Sequence, residues 1–288
     1  NYEVLSAPPD KRFVTKHFHA CNYLQGLEGN MDNTHVPFLH RFQRNDSAAR
    51  VLADHPAEGP PAAIFGPDED GTFYTRYARV EETDFSVWAY DSDGLGGPDL
   101  ILPSLAMTGG GAQAAGDGYQ IYWRTPIDDT HHWLFVISFK RSGPISDQHR
   151  YNRSWAIMTP DYHFIRNSSN RYLQDREEQR TATFTGMGSV FIVQDAAANE
   201  TQGPIQDRTK ERLGASDMSI VAGRKLLLRA IRAVQDGREP PGVIRDPRVN
   251  ARDPIFLKRN APPTAAEWEA ILQETGGRWV RSLSEARE

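Results

Sequence analysis

Two histidines stand five residues apart in the segment Met31-Asp32-Asn33-Thr34-His35-Val36-Pro37-Phe38-Leu39-His40. Imidazoles at that spacing, on a largely apolar stretch, are candidates to share one metal ion. On an ideal helix, five steps of 100° would set His35 and His40 about 140° apart. They converge only if the helix is broken between them. Pro37 lies between them, lacks a backbone donor and disfavours the helical conformation for Val36, so the break is expected there. Imidazole suits iron, zinc and copper, and with one carboxylate it makes the facial triad that leaves positions open on Fe(II). The spacing alone leaves a plainer reading open, in which these are two unrelated surface or pocket histidines.

Asp32 precedes His35 by three residues, which places it on roughly the same helical face. A carboxylate there can accept the ring proton of a liganding histidine and fix its tautomer. It can equally be an ordinary carboxylate favoured at a helix N-terminus.

The chain has 288 residues, 39% hydrophobic and 25% charged, which is enough apolar material for a sizeable core. A net charge of −5 and the lack of any basic run with interleaved aromatics argue against a nucleic-acid surface. No stretch approaches the roughly 20 apolar residues of a membrane span, and no signal segment is visible. The single cysteine, Cys21, rules out an internal disulfide and fits a reducing, cytoplasmic setting.

The elements that must position the candidate residues read as follows. Tyr2-Glu3-Val4-Leu5 has the pattern of an interior strand. Residues 10–20 read as a strand leading into the metal segment, and 21–42 as a helix broken at Pro37. Residues 43–70 are mostly loop, 72–80 and 84–91 strands, and Gly94, Gly96, Gly97 and Pro98 mark another loop. Tyr119–Ile127 and Trp133–Phe139 form a hairpin across 128–130. The glycines of 109–118 lack phosphate-loop spacing and read as a flexible loop. Residues 144–185 are polar and Arg-rich and read as solvated loop and subunit contact. A helix runs over 217–236, capped by Ser216 or Asp217 and ended by Gly237. Its expected buried stripe is Met218, Val221, Leu227, Leu228, Ile231 and Val234. Residues 239–263 are irregular and 265–273 form a short terminal helix. Central strands flanked by helices suggest an α+β architecture.

Three separate segments carry a family resemblance. Cys21-Asn22-Tyr23-Leu24-Gln25-Gly26-Leu27-Glu28, followed by the D-x2-H-x4-H of Asp32, His35 and His40, resembles the iron-binding segment of Rieske non-haem iron oxygenase large subunits. The phthalate-dioxygenase-like branch is the one it resembles. Gln194-Asp195-Ala196-Ala197-Ala198-Asn199-Glu200-Thr201-Gln202-Gly203 is similar to that branch's Q-D-x4-E-x2-G signature, and Asp207 to Asp217 to the run after it. Tyr122-Trp123-Arg124-Thr125-Pro126-Ile127-Asp128-Asp129-Thr130-His131 resembles a strand-and-turn segment of the same branch. The matches come in the expected order and cover roughly residues 1–235.

The resemblance implies a helix-grip (START/Bet v 1-like) fold, a curved antiparallel sheet around a long C-terminal helix with iron between sheet and helices. It assigns His35, His40 and Asp195 as ligands of a mononuclear Fe(II). From the residues alone, Asp195 follows the apolar run 190–193, which would carry it inward, while a helix-capping role at a loop stays open. Asp32 is implied to bridge to the Rieske histidine of a neighbouring subunit and to carry electrons. Glu28 is a candidate for a role behind the ligands or at an interface, and Asn22 a weaker pocket candidate. His17, His19, His131 and His132 read as strand or turn residues.

A Rieske [2Fe-2S] cluster needs two cysteines and two histidines, which one cysteine cannot supply. The expectation is a catalytic domain over 1–238, a C-terminal extension over 239–288, and a Rieske domain missing from this chain, most simply by truncation. The implied reaction is O2 activation to hydroxylate or O-demethylate a small aromatic substrate, an aromatic acid or aryl ether. The implied partners are an NAD(P)H-dependent reductase and further copies, as a homotrimer or dimer of trimers. The loop 59–66 lacks an arginine, which puts a dicarboxylate substrate in doubt. The competing class is a binding module that holds a hydrophobic ligand without redox turnover. No H-x-D, H-x-E, H-E-x-x-H or G-x-S-x-G occurs, which removes the other common metal and hydrolase patterns.

Overall fold

The computed structural model describes residues 2–32, 34–43, 77–82, 85–91, 95–108, 118–141, 143–246 and 258–259. Its centre is one antiparallel sheet. Strands β1 (Arg12–His19), β2 (Tyr77–Glu82), β3 (Ser86–Asp91), β4 (Leu95–Ile101), β5 (Leu105–Thr108), β6 (Gly118–Pro126) and β7 (His132–Lys140) lie in the order β1-β7-β6-β5-β4-β3-β2. The chain therefore runs outward and back as a meander from β2 to β7, and β1 closes the β7 edge. A two-residue strand, β8 (Lys258–Arg259), pairs with Leu95 and Gly96 of β4.

Alternation sets the faces of the sheet. Ile101, Leu105, Met107, Tyr119, Ile121, Ile137 and Phe139 form one core with Val4 and Ala7 from the first segment. That segment is a single helical turn, α1 (Glu3–Ser6), where a strand was expected. It covers the sheet face and adds no strand to it. On the opposite face, Leu134 and Val136 pack with Ile192, Val193 and Ala196, while Val87, Leu100 and Ala106 pack with Leu27, Met31 and Leu226. Those partners lie on α2 (Tyr23–Met31), α6 (Phe191–Glu200) and α7 (Met218–Gln235). Single turns and short helices complete the set: α3 (Val36–Leu39), α4 (Asp147–Asn152) and α5 (Arg176–Thr181). The α+β expectation is met. Among the described residues no helix is long and apolar enough to cross a membrane.

Four local expectations are corrected. Helix α2 ends at Met31 and α3 begins at Val36, so the break precedes Pro37, which sits in the first turn of α3. Proline is favoured there because the missing N–H would have no partner anyway. Gly96, Gly97 and Pro98, expected in a loop, lie in β4. Its register against β3 jumps from Val87↔Leu100 to Trp88↔Pro98, a bulge beside the residue that has no amide hydrogen. Residues 147–152 and 176–181, expected as loop, are α4 and α5, capped by Ser146 and Asp175 side chains. Helix α7 forms where expected, but its buried face is Ser219, Ile220, Ala222, Gly223, Leu226 and Ala233, while Leu228, Ile231 and Val234 are exposed. The small residues let the helix approach α2 and the sheet closely. Gly237 ends α7 at φ +73°, as its type suggests. The segments 43–70, 109–117 and 265–273 fall largely or wholly outside the described residues, as does the loop 59–66.

Candidate metal centre

His35 and His40 flank the single turn α3, as its N-cap and C-cap residues. The turn brings both rings against α6, with their centroids 5.3 Å apart and their planes at 73°. Asp195 comes from the interior of α6, one turn after Phe191, so it is neither a cap nor in a loop. Its Oδ1 lies 3.0 Å from His40 Nε2 and 3.4 Å from His35 Nε2. The donor atoms of the three residues all lie within 4.8 Å of one another. His40 is buried, whereas His35 and Asp195 are partly exposed at the floor of a surface depression that also reaches Asp32, Gln206 and Arg212.

The outer nitrogens of both rings face acceptors. His40 Nδ1 is 2.6 Å from Gln194 Oε1. His35 Nδ1 is 3.5 Å from Asp32 Oδ2. Each imidazole thus stands between two acceptor oxygens, with Asp195 Oδ1 common to both. A neutral ring can donate from only one nitrogen. Without a positive charge between the rings and Asp195, a lone pair would face a carboxylate. The charges respond to this. Burial works against a charged His35, yet Asp195 and Asp32 push its pKa up to about 10. Burial would raise the Asp195 carboxyl, but the two histidines hold it well below the usual range. Asp32 is likewise lowered against burial, by His35 and by the Thr34 amide, which donates to Oδ1 at 2.7 Å.

The two edges that meet at Asp195 suit a cation. Bonds of about 2.1 Å would place neighbouring donors roughly 3.0 Å apart at right angles and 3.4 Å at tetrahedral angles. Both observed edges, 3.0 and 3.4 Å, lie in that span. Two imidazoles with one carboxylate suit a divalent transition metal.

Residues 116–261 match the family described as LigXa C-terminal domain like. The chain belongs to this family. Among its relatives, the phthalate 4,5-dioxygenase oxygenase subunit of Pseudomonas putida is 28% identical over 244 residues, covering 80% of this chain and 53% of that protein. The 3-chlorobenzoate-3,4-dioxygenase oxygenase subunit of Comamonas testosteroni is 26% identical, covering 94% and 64%. The 5,5'-dehydrodivanillate O-demethylase oxygenase subunit of a Sphingobium species is 26% identical, covering 89% and 52%. The chain therefore spans between half and two thirds of the length of these relatives. The resemblance to the catalytic domain of Rieske oxygenases is borne out.

Within this LigXa-like chain the signature residues have separate tasks. Gln194 holds His40. Glu200 accepts from the Ala20 amide at 3.1 Å and the Tyr172 hydroxyl at 2.9 Å, tying α6 to the end of β1. Gly203, at φ +96°, offers its carbonyl to Gln25 at 3.0 Å. In the later run, Arg208 and Glu211 join Glu28 and Arg224: Arg224 Nε donates to Glu28 at 2.7 Å and its two terminal nitrogens donate to Glu211 at 2.6 Å. Glu28 is thereby committed to an ion cluster that binds α2 to α7. Asn22, a pocket candidate from sequence, caps α2 by accepting from the Leu24 amide at 3.0 Å.

His17, His19 and His132 lie on strands as expected, but they are fully buried. Arg124 Nη1 donates to His132 Nε2 at 2.9 Å, so His132 donates from Nδ1 to the Cys21 carbonyl at 2.8 Å. Its tautomer is fixed, and burial with the Arg124 charge lowers its pKa to about 3. None of these rings joins the group formed by His35, His40 and Asp195. Sequence reasoning also missed a buried polar row on the sheet face that carries the site. The Tyr122 hydroxyl donates to Gln120 at 2.9 Å, and Gln120 Nε2 donates to Ser138 at 3.3 Å. The period-2 spacing of Gln120, Tyr122 and Arg124 was its available signal.

Proposed function

We propose that this chain is the catalytic domain of a Rieske-type oxygenase, in a helix-grip arrangement, and that His35, His40 and Asp195 hold one Fe(II). The observation that carries this is the pair of Nε2 atoms turned onto one Asp195 oxygen, while His40 Nδ1 is bonded to Gln194 and His35 Nδ1 faces Asp32 at 3.5 Å. Bound there, Fe(II) supplies the activation of O2 for hydroxylation or O-demethylation of an aromatic substrate. The relatives named for phthalate, 3-chlorobenzoate and 5,5'-dehydrodivanillate support an aromatic acid or aryl ether.

The chain's own residues have defined parts in this reading. Gln194 holds the outer nitrogen of His40, and the Asp32 carboxylate faces that of His35 at 3.5 Å. The buried His40 side and the apolar residues Leu134, Val136 and Ile192 keep water from the sheet side of the site. His35 and Asp32 border the open depression, the route by which electrons would arrive from a Rieske [2Fe-2S] domain fed by an NAD(P)H-dependent reductase. A homotrimer, or a dimer of trimers, is the assembly that would bring a neighbouring subunit's domain there.

The test is anaerobic reconstitution with Fe(II) followed by metal analysis. One iron per chain, lost in His35→Ala, His40→Ala and Asp195→Ala, is expected. A folded wild-type chain that binds no iron would favour the hydrophobic-ligand module instead.

A further inference from the structure

We infer that Gln194 is the positioning residue that fixes the tautomer of His40 and so aims its Nε2 lone pair at the metal; this rests on the metal-centre reading above. The argument begins with the amide. Gln194 Nε2 lies 2.6 Å from the Gly188 carbonyl oxygen. Only an N–H can face a carbonyl oxygen, so the amide cannot be flipped without setting two acceptors against each other. Gln194 Oε1 must therefore be the atom that meets His40 Nδ1 at 2.6 Å. An amide oxygen only accepts. His40 consequently carries its proton on Nδ1, and Nε2 is left as a lone pair 3.0 Å from Asp195 Oδ1.

The Gly188 carbonyl is itself held in place. The Gly188 amide donates to Glu178 Oε1 at 2.7 Å, and the same oxygen accepts from the Thr183 hydroxyl at 2.6 Å. Residues 182–184 are bonded to the segment just beyond His40: Gln43 N donates to the Ala182 carbonyl at 2.7 Å and Phe184 N to the Arg41 carbonyl at 3.0 Å. The chain leaving His40 and the chain entering α6 are thus strapped together, and the strap sets the amide that sets the ring. Phe191 stacks on the same imidazole, centroid to centroid 4.0 Å at 6°. Phe191, Gln194 and Asp195 follow i, i+3, i+4 spacing, so one face of one helix grips the face, the Nδ1 edge and the Nε2 edge of a single ring.

The experiment compares Gln194→Leu, Gln194→Met and Gln194→Glu in the full chain. Fe(II) affinity is measured anaerobically by chelator competition, thermal unfolding is followed in parallel, and the His40 tautomer is read by 15N NMR on the zinc-loaded protein. The apolar variants should bind Fe(II) about 10–100-fold more weakly, the usual loss when a partner behind a liganding histidine is removed. Gln194→Glu loses the bond to Gly188 but keeps an acceptor for Nδ1–H. It should retain affinity near wild type, with His40 still protonated at Nδ1. A purely structural role predicts the reverse, with Glu as damaging as Leu because both break the Gly188 bond. Should Leu and Met fail to fold, the Glu comparison still decides. Weak binding or a changed tautomer in a folded Gln194→Glu protein overturns the inference, as does unchanged binding in a folded apolar variant. Wild-type protein that takes up no Fe(II), or a His40→Ala variant that binds as wild type does, would instead defeat the underlying metal-centre reading.

Discussion

Gly223 of α7 lies directly against Met31, the last residue of α2: a Cβ at 223 would stand 2.5 Å from Met31 Sδ and 3.3 Å from Leu100 Cδ2. The Ser219 hydroxyl, one turn earlier, donates to the Met31 carbonyl. Helix α7 is therefore latched to the chain one residue before Asp32, and the long helix positions the segment that leads to His35 from a distance. Two opposing effects meet at Gly223. Alanine gains about 1 kcal/mol of helix propensity, whereas added volume in a filled site costs about 1–3 kcal/mol. Gly223→Ala should be near neutral, because the thioether can shift. Gly223→Leu should be destabilised by at least the upper part of that range. Urea denaturation of the two variants checks this, and a stable Leu variant would show that the contact is loose.

Arg124 is a buried cation held by neutral partners. Its Nε and Nη2 donate to Asn30 at 3.1 and 3.0 Å, and its Nη1 to His132. Burial lowers its pKa to about 10, which still leaves it charged at neutral pH. Replacing it by methionine fills similar space but strands the Asn30 and His132 acceptors, each worth about 1–3 kcal/mol when left unsatisfied. Arg124→Met should lose roughly 2–5 kcal/mol by denaturant titration. Gly26→Ala should show part of the same loss, since its Cβ would stand 2.2 Å from Arg124 Nη1. Wild-type stability in both variants would remove the structural role given to this guanidinium.

Buried histidines give the fold an acid limit. Burial, with the charges of Arg153 and Arg124, lowers His17 to about 3, and His132 and His149 are lowered to about 3 and about 4. Below the ordinary value of 6.5 the unfolded chain takes up protons on these rings and the folded chain does not, so stability falls as pH falls. Each ring contributes roughly 1.4 kcal/mol per pH unit until its folded pKa is reached. Between pH 6.5 and 5 the metal-free His35 stays protonated in the folded chain while its unfolded ring fills, so it opposes the slope only near the upper end. Unfolding free energies across that window should drop steeply. His17→Phe, which keeps a ring against Phe164 (stacked at 5.1 Å in the native pair), should reduce the slope by one ring. A flat profile over this window would contradict the buried neutral state.

Legibility in the sequence followed the range of the forces. The α+β class, the β6–β7 hairpin and α7 were readable, because alternation, the 128–130 turn and Gly237 are local signals. The face of α7 was not. Hydrophobicity pointed to Leu228, Ile231 and Val234, while close approach to Met31 selected Gly223 and Ala222, and that choice depends on a neighbour distant in sequence. His35 and His40 stood out by type and spacing, yet the break was misplaced at Pro37, which starts α3. Asp195 was reached through the Gln194-Asp195 pattern. The role of Gln194 was hidden, because an amide's partner is fixed by a carbonyl, that of Gly188, and any residue supplies one.

Asp32 gives the sharpest functional test. Its Oδ1 accepts from the Thr34 amide and its Oδ2 faces His35 Nδ1 at 3.5 Å, at the mouth of the open depression. It sits behind His35 and outside the cluster of three donors. Asp32→Asn keeps an oxygen for Thr34 but turns an N–H₂ toward His35, so the ring loses its acceptor while the cluster stays whole. Iron should remain stoichiometric at saturating Fe(II), with affinity lowered by about 10–100-fold at most. In an enzyme carrying its Rieske domain, electron delivery should fall far more than that. The two effects separate in a single-turnover experiment: with the cluster pre-reduced and iron saturating, product formed per iron reports transfer alone. Little product with full iron content is the expected result. Product equal to wild type in the Asp32→Asn enzyme would show that electrons reach the site by another path, and would reduce Asp32 to a support for His35.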